Sequence, residues 1–238
     1  MQRLFFLVAL AAFFLFSTSS MNAQSSASLD QRQQSIATIS ALTAQGNLPK
    51  LHDALSQGLD NGLTINEEKE VLAQLYAYCG FPRSLNGINT LMKVVDERKA
   101  QGKHDAVGKE ATPVTSTKSK YERGKKNLET LTGKPQDKLS GANAFCPEID
   151  VFLKEHLFAD IFERDVLTFQ ERELATVSAL AAMPGVEPML QAHLGMSMNT
   201  GLTEAQLRQV LALQEPLVDK KQAETSREVL RKALADKK

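Results

Sequence analysis

From residue 28 onward the apolar positions recur at helical spacing, as in Ile36/Ile39/Leu42 and Leu174/Val177/Leu180, and no stretch alternates with period two over a useful length. Capping-box pairs punctuate these runs: Asp30 with Gln33, Thr64 with Glu67, Thr168 with Glu171 and Thr203 with Gln206. Gly62 and Gly201, each just ahead of a Leu-Thr pair, suit the left-handed conformation that ends a helix. The pattern predicts an all-α chain. A further helix is expected from Pro82, with Leu85, Ile88, Leu91, Met92 and Val95 as its buried stripe. Residues 98–120 are polar, charged and without an apolar period, and read as a mobile linker. The helical pattern resumes from Tyr121 through Leu128 and Leu131, then Ile149, Phe152, Leu153, Leu157 and Phe158.

The chain also repeats itself. Ser35–Leu42 aligns with Glu173–Leu180 with five identities, the remainder including Ile-to-Leu and Ile-to-Val exchanges. After a one-residue slip, Pro49-Lys-Leu51 matches Pro188-Met-Leu190, Leu55 matches Leu194, Gly62-Leu-Thr64 matches Gly201-Leu-Thr203, and Val71-Leu-Ala73 matches Val210-Leu-Ala212. Two tandem helical modules follow, residues 28–97 and, after the linker, 121–238, the latter including bridging helices that lead into the second copy.

The ends and totals narrow the setting. Met1-Gln2-Arg3 followed by an apolar run from Leu4 to Phe16 and then small polar residues reads as a secretory signal peptide over residues 1–23, with cleavage after Ala23 or Ala27. The expectation is a periplasmic or secreted protein with no membrane attachment after cleavage. Lys+Arg and Asp+Glu both number 28, so there is no electrostatic footprint for nucleic acid. Cys79 and Cys146 are the two cysteines of a chain bound for an oxidising compartment, and a bond between them would stabilise the fold by about 4 kcal/mol on the chain-entropy account. The alternatives for Cys79, which precedes Gly80-Phe-Pro82, are an inert buried thiol or one activated at a helix start. His52, His104 and His156 fall in no metal-ligand spacing, so no metal is expected.

Phe169-Gln-Glu-Arg-Glu-Leu174, then Ala192-His-Leu194 and Asn199-Thr-Gly-Leu-Thr203, resemble the carboxymuconolactone decarboxylase family, which includes the alkyl hydroperoxidase D-like proteins. The first copy supplies Asn61-Gly-Leu-Thr64 and Tyr76-Ala-Tyr-Cys-Gly-Phe-Pro82 with Asn86, similar to the third helix and Tyr/Gly/Phe/Pro turn of such modules. The resemblance implies catalytic residues Glu173 and His193, and a pocket to which Tyr76 or Tyr78, Asn86 and Asn199 contribute. It also implies a homo-oligomer, with a trimer favoured. The family's hydroperoxidase members carry a C-x-x-C ahead of the histidine. Here Val186 and Met189 stand at those positions, seven and four residues before His193, so that dithiol chemistry is unavailable.

The first copy has Ser35 and Ala54 where the second has Glu173 and His193, whereas the second has Asp219-Lys-Lys221 where the first has Gly80-Phe-Pro82. One composite pocket, with acid and base from one half and the tyrosine-bearing turn from the other, is the expectation. A carboxylate that orients an imidazole titrating near neutral pH suits proton transfer to or from a small organic substrate, by decarboxylation, lactone opening or isomerisation, without a cofactor. Against this, an acid in a first helical turn is favoured by the helix dipole alone, and a helical histidine can be purely structural. Two other functions compete: a peroxidase-like thiol protein centred on Cys79, and a binding or assembly module that has kept the scaffold and lost the chemistry.

Overall fold

The computed structural model describes residues 28–237, and the signal-peptide segment lies outside them. Every regular element among the described residues is helical. The first copy comprises α1 (Gln31–Gln45), α2 (Leu48–Asp60) and α3 (Ile65–Ala100), the last broken at Gly80. The bridge contains α4 (Lys120–Thr132), α5 (Gly141–Phe145) and α6 (Pro147–Val151), which runs into a π-helical segment, Phe152–Ile161. The second copy is α7 (Phe169–Ala181), α8 (Glu187–Asn199), α9 (Glu204–Gln214) and α10 (Lys220–Ala235).

All four capping boxes form, at Asp30, Thr64, Thr168 and Thr203. Gly62 and Gly201 take the left-handed φ of 89° and 99° that their turns require. The matching first helices, α1 and α7, pack against each other at the centre of the molecule. Both are buried nearly all round, and their many Ala, Ser and Thr side chains let neighbours approach from every side. One apolar core therefore runs through both copies, from Ile36, Leu55 and Leu75 to Leu174, Leu194 and Leu230. A smaller cluster, Leu131, Leu157, Phe158, Ile161 and Phe162, joins the bridge to it. There α4 meets the π segment so closely that a Cβ on Gly124 would fall 1.6 Å from the Lys154 carbonyl oxygen.

Two expected buried faces are corrected, and the polar segment after α3 is tied to its neighbours over residues 98–112. The Ile65 and Asn66 amides at the start of α3 donate to the carbonyls of Ala106 and Val107 at 3.0 and 2.9 Å, Arg98 grips Asp105, and Asp165 accepts from the Thr112 amide and hydroxyl. A segment without apolar period can still be held by helix-end amides that need acceptors.

The stripe after Pro82 is rotated: Ser84, Gly87, Leu91, Val94 and Arg98 are buried, whereas Leu85 and Met92 are 54% and 61% exposed. The cause lies at two glycines. Gly80 (φ 82°, ψ 157°) re-aims the helix, and Gly87 presses against α3's first half, where a Cβ would come within 2.7 Å of Leu72 Cδ2. In the bridge, Leu157 and Phe158 are buried as expected but Ile149 and Phe152 are exposed. The wider i→i+5 turn of the π segment takes Phe152 out of register with the buried face.

Candidate functional site

Glu173 sits in the second turn of α7, fully buried, and His193 near the middle of α8. The turn between these helices brings His193 Nδ1 within 2.9 Å of Glu173 Oε2. When Nδ1 carries its proton and donates to the carboxylate, Nε2 is left as the nitrogen that can accept or return a proton. The His193 side chain retains 10% of its surface, so the buried pair still reaches solvent. The second carboxylate oxygen, Glu173 Oε1, is buried and has no partner. A buried carboxylate oxygen left unpaired beside an imidazole is costly in a purely structural role and suits a site that receives a polar ligand atom.

The first copy completes this arrangement. Tyr78, at the end of α3's first half, meets His193 edge-on with ring centroids 5.3 Å apart. Its buried hydroxyl lacks a hydrogen bond of good geometry, with Thr176 as a polar neighbour. Burial, and then the Glu173 carboxylate, push its pKa well above the ordinary phenol value, so it is held as a proton donor. Three groups from two modules thus converge: an imidazole, a carboxylate with a spare oxygen and a protonated phenol.

Beneath them lies a polar network that also crosses the copies. Arg172, fully buried, donates to Glu70 Oε1 at 2.7 Å and to Gln74 Oε1 at 2.8 Å, and Gln74 Nε2 donates to the Arg172 carbonyl and to Thr176 Oγ1. The network fixes α3 against α7 one helical turn from Tyr78 and next to Glu173. Sequence reading missed it, because Arg172 stands between two glutamates and looks like an ordinary solvated charge. The signal that existed was its place in a helix whose other residues are almost all small or apolar.

The remaining expected site residues separate. Tyr76 stacks on Phe81 at 4.4 Å and tilts against His156 at 5.5 Å, away from the pair. Asn86 is exposed on the outer face of α3, nearly two turns past the break, because Gly87 beside it faces inward. Asn199 closes the end of α8 by donating to the Leu131 carbonyl at 2.8 Å. It lines a cavity of about 580 Å³ on the outer side of α8, together with Lys134, Gln191 and Met196, and His193 is not part of that lining.

Cys79 and Cys146 are both free thiols, so of the alternatives the sequence left open the bond between them is not formed. Cys79 donates to the Leu75 carbonyl at 3.1 Å on the half-buried side of α3, while Cys146 is exposed between α5 and α6, near Glu148. Burial pushes the Cys79 thiol up to about 11, the opposite of an activated thiolate.

The matching positions of the first copy hold no such pair. Ser35 accepts from Asn61 Nδ2 at 2.9 Å, and Ala54 packs against the core. Comparison with curated proteins finds no match. The family description "Carboxymuconolactone decarboxylase family" matches two stretches, residues 9–91 and 147–232, one for each copy, and the chain belongs to that family as a tandem two-module member.

Proposed function

We propose that this protein is an exported, cofactor-independent acid/base enzyme of the carboxymuconolactone decarboxylase type, acting on a small organic acid or lactone. His193 Nε2 is the atom that takes or returns the proton, Glu173 orients the imidazole and offsets its charge, and Tyr78 Oη donates to the oxygen on which negative charge develops. The observation that carries this reading is the buried 2.9 Å Glu173–His193 contact flanked by two unpaired polar atoms, Glu173 Oε1 and Tyr78 Oη. Decarboxylation and isomerisation need only such proton transfers and a stabilised enolate, whereas lactone opening also takes a water, deprotonated by His193 as it adds to the carbonyl, with Tyr78 donating to the tetrahedral oxyanion before the ring C–O bond breaks. The apolar run from Leu4 to Phe16 supports export. A thiol-peroxidase reading is weaker, since Cys79 is held as a thiol and no second cysteine neighbours it.

The test uses the purified chain against a panel of enol-lactone and β-keto acids in deuterated water, with NMR following carbon dioxide loss, ring opening and deuterium incorporation. Glu173→Gln and His193→Gln are each expected to lower turnover by about 10²–10⁴-fold with unchanged circular dichroism. Undiminished turnover in either variant sinks the assignment of the pair.

A further inference from the structure

From Pro49 and Pro188 onward the two copies run in step, so the outer faces of α2 and α8, and the helices that cover them, compare residue by residue. One side-chain pair recurs: His52 Nε2 meets Glu97 Oε2 at 2.7 Å in the first copy, and Gln191 Nε2 donates to Asp236 Oδ2 at 2.7 Å in the second. One turn farther along, the copies part. In the first, Arg98 lies over Ser56 and Asp60, its side chain 5% exposed. Its guanidinium donates to the Ser56 carbonyl and hydroxyl at 3.1 Å, to Asp60 at 2.9 Å, and to Asp105 at 2.6 and 2.8 Å. In the second, the same three places hold Lys237, Gly195 and Asn199, and all three line the cavity of about 580 Å³ on the outer side of α8.

Gly195 stands out among the glycines inside helices. Such a glycine costs roughly 1 kcal/mol relative to alanine, and at Gly58, Gly87 and Gly124 close packing explains it, because a Cβ there would fall 2.3, 2.7 and 1.6 Å from a neighbouring atom. A Cβ on Gly195 would meet no atom within 4 Å. Packing within the chain does not call for a glycine at this place. A molecule lying against the α8 backbone does.

We propose that this cavity binds a small organic anion, a carboxylate with an apolar body, seated on Gly195. The charges of the two nests decide the sign. In the first copy two acids, Asp60 and Asp105, hold a cation supplied by the chain itself. In the second, neutral Asn199 replaces Asp60, and the wall from outside the repeat is the end of α4 and the loop after it, which brings Lys134 rather than an acid. Lys134 and Lys237 set two ammonium groups against one lining carboxylate, Asp236, which already accepts from Gln191. Between these polar ends, Ala192, Met196, Met198 and Ala233 offer apolar wall, and methionine adapts to the shape of a hydrocarbon. The volume lies within the roughly 300–1,000 Å³ of small-molecule sites. The proposal does not depend on the acid/base reading, since His193 is outside the lining.

The test is an NMR titration of the purified chain, labelled at its methionine methyl groups, with octanoate, octylamine and octanol as probes. Octanoate is expected to shift the Met196 and Met198 methyl signals saturably and to bind more tightly than either other probe. Gly195→Leu fills the floor of the cavity without meeting the chain, and is expected to raise the octanoate dissociation constant at least about tenfold with unchanged circular dichroism. Lys134→Ala/Lys237→Ala leaves the floor open and is expected to erase the preference for octanoate over octanol. The readout is binding rather than turnover, so it stands or falls apart from the Glu173–His193 assignment. Four results overturn the proposal: no saturable shift with octanoate, binding that survives Gly195→Leu, octylamine binding as tightly as octanoate, which would make this a cation nest like that of Arg98, and octanol binding as tightly, which would make it an apolar hollow blind to charge.

Discussion

In the first copy, the first helix carries Ser35, bonded to Asn61, and the second helix carries Ala54; in the second copy the same places hold Glu173 and His193 in contact. The exchange is reciprocal one helix later, where the first copy buries Glu68 and the second buries Leu207. Glu68 is fully buried with both carboxylate oxygens unpartnered, beside Gly58, where a Cβ would come within 2.3 Å of Glu68 Oε1. Desolvation raises its pKa to about 9, so at neutral pH it is a carboxylic acid. Two copies of one backbone thus place an acid in different parts of the same helical scaffold. In one the acid is paired with a base and a neighbouring phenol. In the other it has neither, and it burdens the fold. Shared backbone is therefore no guide to shared chemistry, because what matters is which side chains the packing brings into reach.

The sharpest way to break this contrast is to exchange the copies' residues. Glu173→Ser/His193→Ala makes the second copy like the first and is expected to abolish turnover. The reverse graft, Ser35→Glu/Ala54→His, is expected to add no turnover, because Leu217 stands where Tyr78 stands in the other copy. A graft that doubles turnover per chain would show that the tyrosine is dispensable.

Next in size is the tie between the copies. Arg172→Ala leaves Glu70 buried with only the half-exposed Arg164 beside it, and urea denaturation is expected to show a loss of about 3 kcal/mol. An unchanged midpoint would mean that the apolar contacts of α1 with α7 hold the modules together unaided.

Glu68→Leu copies the second module's residue into the first, and its effect depends on pH. The folded state keeps the Glu68 proton up to about pH 9, whereas the unfolded chain releases it near 4.5. Between those values the native state binds more protons, so wild-type stability falls as pH rises, by on the order of a few kcal/mol in all. The variant is expected to be more stable than wild type at pH 8, by more than at pH 5. Parallel stability curves across that window would show that Glu68 is solvated or paired.

The smallest effect is expected at His52, which corresponds to Gln191 in the second copy. Hydrogen bonds to Glu97, at 2.7 Å, and to Asp53 raise its pKa above 6.5. Its contribution is fully present below pH 6.5 and is lost as pH rises through the raised folded value, and solvent screening keeps it small. NMR titration of His52 is expected to move back toward 6.5 in Glu97→Gln. No movement would leave the contact without electrostatic weight.

How much of this was legible in the sequence differs by residue. The caps at Asp30, Thr64, Thr168 and Thr203 could be read because a capping box involves residues three apart and needs nothing distant. Glu173 and His193 could be found from the repeat and from family resemblance, since both modules preserve the order and spacing that carry them. Arg172 and Glu68 could not, because a charge in a helical run looks the same whether it faces water or a core, and only packing partners from the other elements decide which. Cys79 and Cys146 were compatible with a bond by count and compartment, yet helix placement separates them. Leu85 and Phe152 satisfied a helical period and still turned outward, since a period identifies a stripe but not the direction in which neighbours rotate it.

By itself, the sequence determined the helical class, the tandem repeat and the cap positions, and family resemblance singled out Glu173 and His193, because each depends on short-range spacing, on similarity between copies or on a shared motif. The tertiary structure alone decided that Tyr78 of the first copy meets His193 of the second, that Arg172 fastens the copies together and that the linker straps the start of α3. Those contacts join residues tens of positions apart, and their partners are chosen by the close approach of helices at Gly87 and Gly124 and by the break at Gly80.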